Sequence, residues 1–309
     1  MLKKVGRTRE ETQVSRVRGQ RIHKAITELH RAGYSISELC EVANISRQAY
    51  YQYQKRRKPK NEIENETIAA CIADFYIKYQ GVPGYRMMRH LVNRHLNTAY
   101  SHNRILRIMR LMGIQSVTRK KKVVRTMRSG DFTAKNGLGR QFISEFKNEK
   151  WLTDVTEFKL KTGRRVFMCA ILDLFDNSIV AYRFGLSNNN RLVFDTLEAA
   201  LAANPDASPM IHSDRGFQFT SYGFRKILKA HGMTQSMSRV GKCIDNGPME
   251  AFFGKLKSER YNLVRKDTGY ETYQQLINDL GAYIHFYNHK RPQEVLCGLT
   301  PVKLRKIAA

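Results

Sequence analysis

Three apolar segments joined by short turns begin at Lys150, and they constrain the fold of this chain more than any other feature. Three consecutive strands joined in this way begin an antiparallel sheet. Helical and strand-like segments then alternate until Pro248, which suits the first turn of a further helix. The predicted strands cover 151–160, 165–175, 179–184, 209–213 and 234–237, and the predicted helices between them cover 191–203 and 221–231. This order predicts an α/β layer fold.

The first half of the chain carries most of a large positive charge. The 309 residues include 54 Lys+Arg and 27 Asp+Glu, and residues 1–150 hold 32 of the basic and 12 of the acidic side chains. A net charge of +27 would repel itself without an acidic partner, so it indicates nucleic acid or an anionic membrane surface. No uncharged apolar run reaches the length of a membrane span. We therefore expect a nucleic-acid partner, no membrane and a cytoplasmic location.

The N-terminal part of this basic half predicts a helix-turn-helix. Residues 35–51 fit two short helices around a turn at Asn44, with Ser46 as the N-cap of the second helix. Such a motif places its second helix in the major groove of DNA, although a plain helical hairpin fits the same pattern. The side chains expected to be displayed from the second helix are Arg47, Gln48 and Tyr50. Residues 1–60 are interpreted as a DNA-binding segment that ends in a basic linker.

Residues 61–130 are interpreted as a second, basic helical DNA-binding domain. The last fifty of them hold 12 basic and no acidic side chains. Three of the arginines recur every three residues and therefore share one side of a helix. The alternative is a solvated surface, but no acidic residue offsets this row. The expected DNA contacts in this domain are Arg86, Arg89, Arg104, Arg107 and Arg110, and residues 120–139 are expected to form a loose basic connector.

Three acidic residues occupy positions where a merely solubilising acid is not expected. Asp154 lies in an apolar strand, Asp214 directly follows a strand, and Glu250 lies in the first turn of a helix. Clustered carboxylates are unfavourable without a cation, and three that converge suit Mg²⁺ or Mn²⁺. Two such ions about 4 Å apart can activate a nucleophile and stabilise a leaving oxygen in phosphoryl transfer. The order of elements is that of a ribonuclease-H-like core.

The helix after Pro248 is predicted to face the reaction with one side. At about 100° per residue, this side collects Glu250, Gly254, Lys257 and Tyr261. Gly254 is a poor helix former, which makes sense if a backbone or a DNA strand must come close. Lys257, two turns after Glu250, could hold a substrate phosphate.

Other polar residues near these positions are given lesser roles. Glu157 faces the opposite side of its strand from Asp154. Asp173 could support the site from outside it. Asp245 or Asn246 can cap the helix after Pro248, and Asp245 is favoured as a helix cap over a metal ligand. His212 is expected to orient the turn that follows it rather than to act as an acid or base.

The segments around the three carboxylates resemble a known family. They cover 153–156, 212–219 and 245–253. They are similar to the catalytic signatures of bacterial insertion-sequence transposases of the IS-three type (the OrfB protein), which are relatives of retroviral integrases. Thirty-five residues separate Asp214 from Glu250, as in the DD(35)E pattern of that family, and the basic residue seven positions later also matches. Residues 287–292 and 300–301 resemble its C-terminal signature, and 84–86 and 104–114 its N-terminal helical segment.

The resemblance implies a DDE transposase that cleaves and joins DNA strands. It implies metal binding, by two ions, at Asp154, Asp214 and Glu250, and contact of Lys257 with terminal DNA. The catalytic core is then expected over 140–265, with a helical extension over 266–309. The partners it implies are the terminal inverted repeats and target DNA, further copies of the chain, and an upstream-frame protein fused to it or associated with it. A nucleoid-associated bacterial protein is expected.

One departure and two rival functions accompany this resemblance. Residues 247–248 are Gly-Pro where small or flexible residues such as Ala are expected, and they could stiffen the loop before Glu250. A DNA-binding regulator on an inactive integrase-like core is one rival, against which the presence of all three carboxylates argues. A ribonuclease that acts on RNA–DNA hybrids is the other, and it has no need of a helix-turn-helix.

Overall fold

The computed structural model describes residues 22–118, 137–139, 141–239 and 243–308. The chain divides into two compact units, Met1–Thr67 and Ile68–Ala309, and each is described by itself. The predicted finer division into four domains stays a prediction. The connector expected over 120–139 lies outside the described residues except at its last three positions. In the part of the chain that the structure describes, no helix is both long and apolar enough to cross a bilayer.

The first unit contains the predicted pair of short helices. Asn44 turns the chain with a φ of 52°, and the Ser46 hydroxyl accepts a hydrogen bond from the Ala49 N–H, so the predicted turn and N-cap are confirmed. Tyr50 is a correction, because its ring is 3% exposed and packs in a small core with Ile26. It therefore cannot be displayed to DNA, whereas its neighbours at the start of the helix are exposed. The helices are α1 (22–31), α2 (Ile36–Val42) and α3 (Arg47–Lys55).

Three amphipathic helices follow α3 in the chain. They are α4 (Lys60–Lys78), α5 (Tyr85–Leu96) and α6 (His102–Leu111). In the second unit they pack around a common apolar core that includes Ile72, Met88 and Ile105. The chain turns between α4 and α5 at Gly81, whose φ is +76°. The apolar faces of these helices are turned inward, which leaves their arginines on the other sides.

A five-stranded sheet forms the centre of the second unit. Its strands are β1 (Lys150–Lys159), β2 (Arg165–Asp173), β3 (Ile179–Gly185), β4 (Met210–Ser213) and β5 (Thr234–Met237). They are ordered β3-β2-β1-β4-β5, with β1, β2 and β3 antiparallel and β1, β4 and β5 parallel. The predicted strands are confirmed, and the first of them is central in the sheet.

Helices cover both faces of this sheet. The remaining helices are α7 (Asn190–Ala203), α8 (Phe217–Thr220), α9 (Tyr222–Ala230), α10 (Gly247–Leu256), α11 (Asn262–Asp267), α12 (Tyr273–His289) and α13 (Pro301–Ile307). Trp151 of β1 packs in the core formed with α7 and α9, whereas Leu152 and Phe158 pack with α10 and α12. Since side chains alternate along a strand, Asp154 lies on the α10 face.

The helix that carries Glu250 does not continue as predicted. After α10 the chain forms a π-helical segment, Lys257–Tyr261. Tyr261 is consequently buried, and its hydroxyl accepts a hydrogen bond from the Lys159 N–H and donates one to the Lys159 carbonyl. The prediction that Tyr261 shares the exposed side of Glu250 is therefore wrong, because the projection assumed a regular α-helix throughout.

Asp173 takes part in a buried ion-pair network and does not support the predicted site. It is 0% exposed, and Arg305 of α13 donates to it at 2.8 Å and to the equally buried Asp176 at 3.0 Å. Burial raises the pKa of Asp173, although the bond from Arg305 opposes the shift. Arg305 therefore fastens the last helix to the end of β2.

Replacing Arg305 by methionine is expected to destabilise the protein by about 3 kcal/mol, because two buried carboxylates lose their counter-charge. Urea unfolding followed by circular dichroism measures the change. Lys303→Met, on the exposed side of the same helix, is the matched control. Adding Asp173→Asn and Asp176→Asn should recover part of the loss. An effect of Arg305→Met no larger than that of the control would contradict this account.

Candidate active site

Asp154 lies in the middle of the central strand. It is opposite Ala170 of β2, and the Val155 N–H donates to its Oδ1 at 2.7 Å. Its side chain is half-buried between the sheet and α10. The pairing of β1 with β2 continues on both sides of Asp154 along the strand, so the backbone that carries this carboxylate has a well-defined position.

Asp214 lies beside Asp154 because of the parallel pairing between β1 and β4. The register pairs Leu152 with His212, so the residues two positions further along both strands are neighbours. The Gly216 N–H donates to Oδ1 of Asp214 at 2.8 Å. A Cβ on Gly216 would lie 3.1 Å from that oxygen and 2.8 Å from a side-chain oxygen of Gln218. The turn after β4 therefore needs a glycine there to hold the carboxylate so closely.

His212 supports the end of β4 as a neutral group. Its Nδ1 lies 2.8 Å from the Ser236 hydroxyl and its Nε2 lies 3.1 Å from the Ser238 hydroxyl. Burial lowers the pKa of His212 to about 4. With both ring nitrogens engaged and no charge near pH 7, the imidazole positions the strand that leads to Asp214 and does not serve as an acid. Sequence reasoning did not identify the two serines, which are ordinary residues until the fold is known.

Glu250 is positioned by the short 3₁₀ turn before α10. The Asn246 side-chain amide donates to the Thr153 carbonyl at 3.2 Å, which attaches this turn to β1 next to Asp154. Asn246 makes no side-chain cap bond to the helix. Asp245, the favoured cap, is instead fully buried and accepts bonds from the backbone and guanidinium of Arg239. The prediction that Asp245 caps the helix is wrong. A buried carboxylate needs a cationic partner, and the Asp245 side chain is bound to Arg239 instead of to the helix.

The pKa of Asp154 depends on the charges of the other predicted residues. Burial, followed by the charges of Asp214 and Glu250, raises the pKa of Asp154 to about 7, while the ammonium of Lys257 opposes the shift. Partial removal from water also raises the pKa values of Asp214 and Glu250. These three carboxylates and one ammonium form a single cluster of interacting charges beside the carboxyl end of β4.

The carboxylates do not form a closed metal cage. Among the described residues, no group of three His, Cys, Asp or Glu side chains has the geometry to hold a metal ion by itself. Their oxygen donors and shared negative charge nevertheless suit a hard divalent cation, which would stabilise the ionised carboxylates that burial disfavours. The predicted residues therefore fit such a cation by their chemistry.

The side of α10 that carries Glu250 is open to solvent. Gly254 is exposed, and a Cβ built on it would meet nothing within 4 Å. Packing within the protein thus gives no reason for a glycine in the middle of this helix. Lys257, just beyond it, places its ammonium 5.5 Å from the centre of the Phe158 ring. This surface leaves room for a large ligand to pass next to the carboxylates.

The arginines expected to contact DNA do not share one environment. Arg89 is correctly placed on α5, but it pairs with Glu294 at 3.1 Å. Arg104 stacks over the ring of Tyr100, whereas Arg110 is exposed. The remaining predicted contacts are Arg47 and Arg86, which are exposed, and Arg107, which is half-buried. Their contact with DNA stays a prediction.

Family models match three segments of this chain. A model described as an HTH-like domain matches residues 62–122, which contain α4, α5 and α6. Two models described as integrase core domains match 145–243 and 231–301. These segments include the whole sheet and the helix that carries Glu250.

Two relatives and one solved structure are similar to this chain. The chain is 32% identical over 283 residues to a putative transposase InsK for insertion sequence element IS150 of Escherichia coli, across 91% of this chain and 97% of that protein. It is 40% identical over 205 residues to an uncharacterized transposase-like protein of Haemophilus influenzae, across 66% and 93%. The catalytic core of HTLV-2 integrase in complex with magnesium matches with a TM-score of 0.43 and 18% identity, over 52% of this chain and 98% of that chain.

A sheet of this order, an HTH-like domain before it and relatives aligned over nearly their full length establish the family. The chain belongs to the insertion-sequence transposases of the IS-three type, DDE enzymes that bind DNA through an HTH-like domain and act on it with an integrase-like, ribonuclease-H-like core.

Proposed function

We propose that Asp154, Asp214 and Glu250 are the catalytic carboxylates of this transposase. The observation that carries the proposal is the electrostatic interaction of Asp154 with the other two and with Lys257. Strand register, the turn after β4 and the link between Asn246 and β1 support it, since each helps to position one carboxylate beside the carboxyl end of β4.

These three residues would hold Mg²⁺ or Mn²⁺, and two ions suit the reaction. When bound, such ions activate the attacking oxygen and stabilise the leaving oxygen of a phosphodiester. The protein's own contribution is to keep three mutually repelling carboxylates together. Lys257 would contact a phosphate of the terminal DNA, and the open surface at Gly254 would let that strand pass close to α10.

The proposed function includes the DNA on which the transposase acts and the oligomer that it forms. The chain would bind the terminal inverted repeats of its element, cleave a strand with water and use the freed 3′-OH to attack target DNA. Because each chain carries one set of carboxylates and an element has two ends, the acting form would be a homo-oligomer on DNA. An upstream-frame protein would be fused to the chain or associated with it. The enzyme would be located at the bacterial nucleoid. The proposed domain boundaries of the chain lie near residues 60, 130, 140 and 265.

Asp214→Asn and Glu250→Gln are each expected to abolish cleavage of a labelled duplex copied from the element's end, with Mg²⁺ present. Both changes remove a carboxylate from the cluster and leave the basic helices intact, so the affinity for that duplex should stay nearly unchanged. Gel assays of nicking and of binding measure the two effects on the same preparations.

Glu157→Gln is the matched control, because Glu157 lies on β1, where it pairs with Arg165, and faces away from Asp154. It should keep wild-type cleavage. Cleavage retained by either site variant would refute the assignment of the carboxylates. Faster cleavage of an RNA–DNA hybrid than of duplex DNA by the wild type would favour the ribonuclease alternative.

Asp154→Asn is expected to stabilise the metal-free protein above pH 7. The raised pKa means that ionisation of Asp154 opposes folding: the penalty is small near pH 4, grows as the pH rises to about 7 and is complete above it. Asparagine avoids this penalty and still accepts the bond from Val155. The gain should be roughly 2 kcal/mol at pH 8, allowing for screening by solvent. Unfolding in EDTA at pH 5 and pH 8 measures it, and an equal difference at both pH values would contradict the prediction.

Replacing Arg104, Arg107 and Arg110 together by glutamine should weaken DNA binding and flatten its dependence on salt. Each lost phosphate contact lowers the slope of log K against log salt by about 0.9. Titrations at several salt concentrations measure this slope. The control removes three exposed basic side chains of the core, Arg191, Lys226 and Lys229. An equal change in both triple variants would show that the arginines act only through net charge.

A further inference from the structure

A cavity of about 270 Å³ lies between α5 and the loop that follows α12. Arg86 and His90 of α5 line one side, and Gln293 and Glu294 of the loop line the other. Lys255 of α10 also faces it. The cavity thus joins the HTH-like helices to the helix that carries Glu250, on a different side of that helix.

The two sides of this cavity are fastened together. Glu294 contacts His90 at 2.7 Å and Arg89 at 3.1 Å, and Arg94 donates to the Gly298 carbonyl at 2.7 Å. Gly298 approaches so closely that a Cβ on it would lie 2.1 Å from Nδ1 of His90. The space is therefore a built feature of the packing rather than a gap between loosely placed loops.

A buried hydrogen-bond donor in this cavity lacks an acceptor. Gln293 is 3% exposed, and within the described part of the chain its Nε2 has no hydrogen-bond partner. The Tyr287 hydroxyl is near enough to interact with the amide, but it does not meet the geometry of a hydrogen bond to Nε2. Buried polar groups are almost always paired, so this N–H is able to donate to an acceptor that enters the cavity.

The positive charge in this cavity is also incompletely balanced. Lys255 is half-buried, lies 5.8 Å from the centre of the Tyr287 ring, and forms no salt bridge with any described carboxylate. Burial and then the charge of Arg291 lower the pKa of Lys255 to about 8, against the pull of Glu259. Glu259 itself is held by Arg291, and Glu294 by the α5 side chains. An anion between Lys255 and the exposed Arg86 would meet both cations.

We propose that this cavity binds one phosphodiester group of the DNA held by the HTH-like helices, with Lys255 and Gln293 as inner donors and Arg86 at the rim. The inference rests on the proposed binding of element-end DNA. A free phosphate offers the same oxygens, but Arg86 is exposed on α5 inside the HTH-like segment, where DNA would reach it. A phosphate here would tie the position of bound DNA to α10.

Lys255→Met tests the proposal in the full-length protein. Methionine keeps packing against the Tyr287 ring but cannot bind a phosphate. In EDTA, its affinity for an element-end duplex should fall roughly tenfold, and the slope of log K against log salt should fall by about 0.9. Lys255→Arg should restore most of both. Lys229→Met, an exposed lysine of α9, is the matched control and should change neither by a comparable amount.

Three measurements separate the outcomes. An equal melting temperature of Lys255→Met and wild type shows that the loss is not one of folding, and Arg86→Gln provides a second, exposed variant in which binding should also weaken. Unchanged affinity and slope in both variants would overturn the proposal. A second pair of results would also overturn it: inorganic phosphate raises the melting temperature of the wild type alone, and Lys255→Met does not change DNA binding. The cavity would then be a site for a free anion. Because binding is measured without metal, a failure of the carboxylates to cleave leaves this result independent.

Discussion

The mutual repulsion of Asp154, Asp214 and Glu250 is the constraint on which the arrangement of the core depends. Charges of one sign in a partly buried place favour separation, yet the β1–β4 register and α10 bring these together. The bonds that hold them act mainly on backbone: the Gly216 N–H fixes one carboxylate, and Asn246 attaches the turn before α10 to β1. The fold itself therefore positions these carboxylates, and their pKa values are raised there.

Polar groups around this cluster are neutral or paired, which keeps additional charge away from it. His212 is uncharged near pH 7 and braced by two serines. Asp245 is balanced by Arg239. If the three carboxylates hold a divalent cation as proposed, this pairing leaves them as the acidic side chains that face it.

Sequence patterns predicted the strands, the turn at Asn44 and the cap at Ser46 because alternation and turn chemistry are local properties. The three carboxylates were predicted from their positions within a strand, directly after a strand and in the first turn of a helix, together with the family spacing, and their role stays a proposal. Tyr50 and Tyr261 were misplaced, since one is fixed by a residue far away in the chain and the other by a change in helix type. Asp245 was misplaced because its burial, which only the fold shows, makes it a partner of the nearby Arg239. The sequence gives no local sign of a π-helical segment, so a regular projection fails there.

Arg89 shows why charge counted along a sequence overstates a DNA-binding surface. The fifty residues around it contain no acid, but the fold supplies Glu294 from the C-terminal part of the chain. His90 and Arg94 bond to the same loop, so one face of α5 is committed to the protein. Transposition requires that DNA be bound and cut in one fixed geometry, and a helix of the HTH-like domain that is fastened to the core satisfies this requirement. Charged side chains of α5 that were predicted to contact DNA thus attach this helix to the core instead.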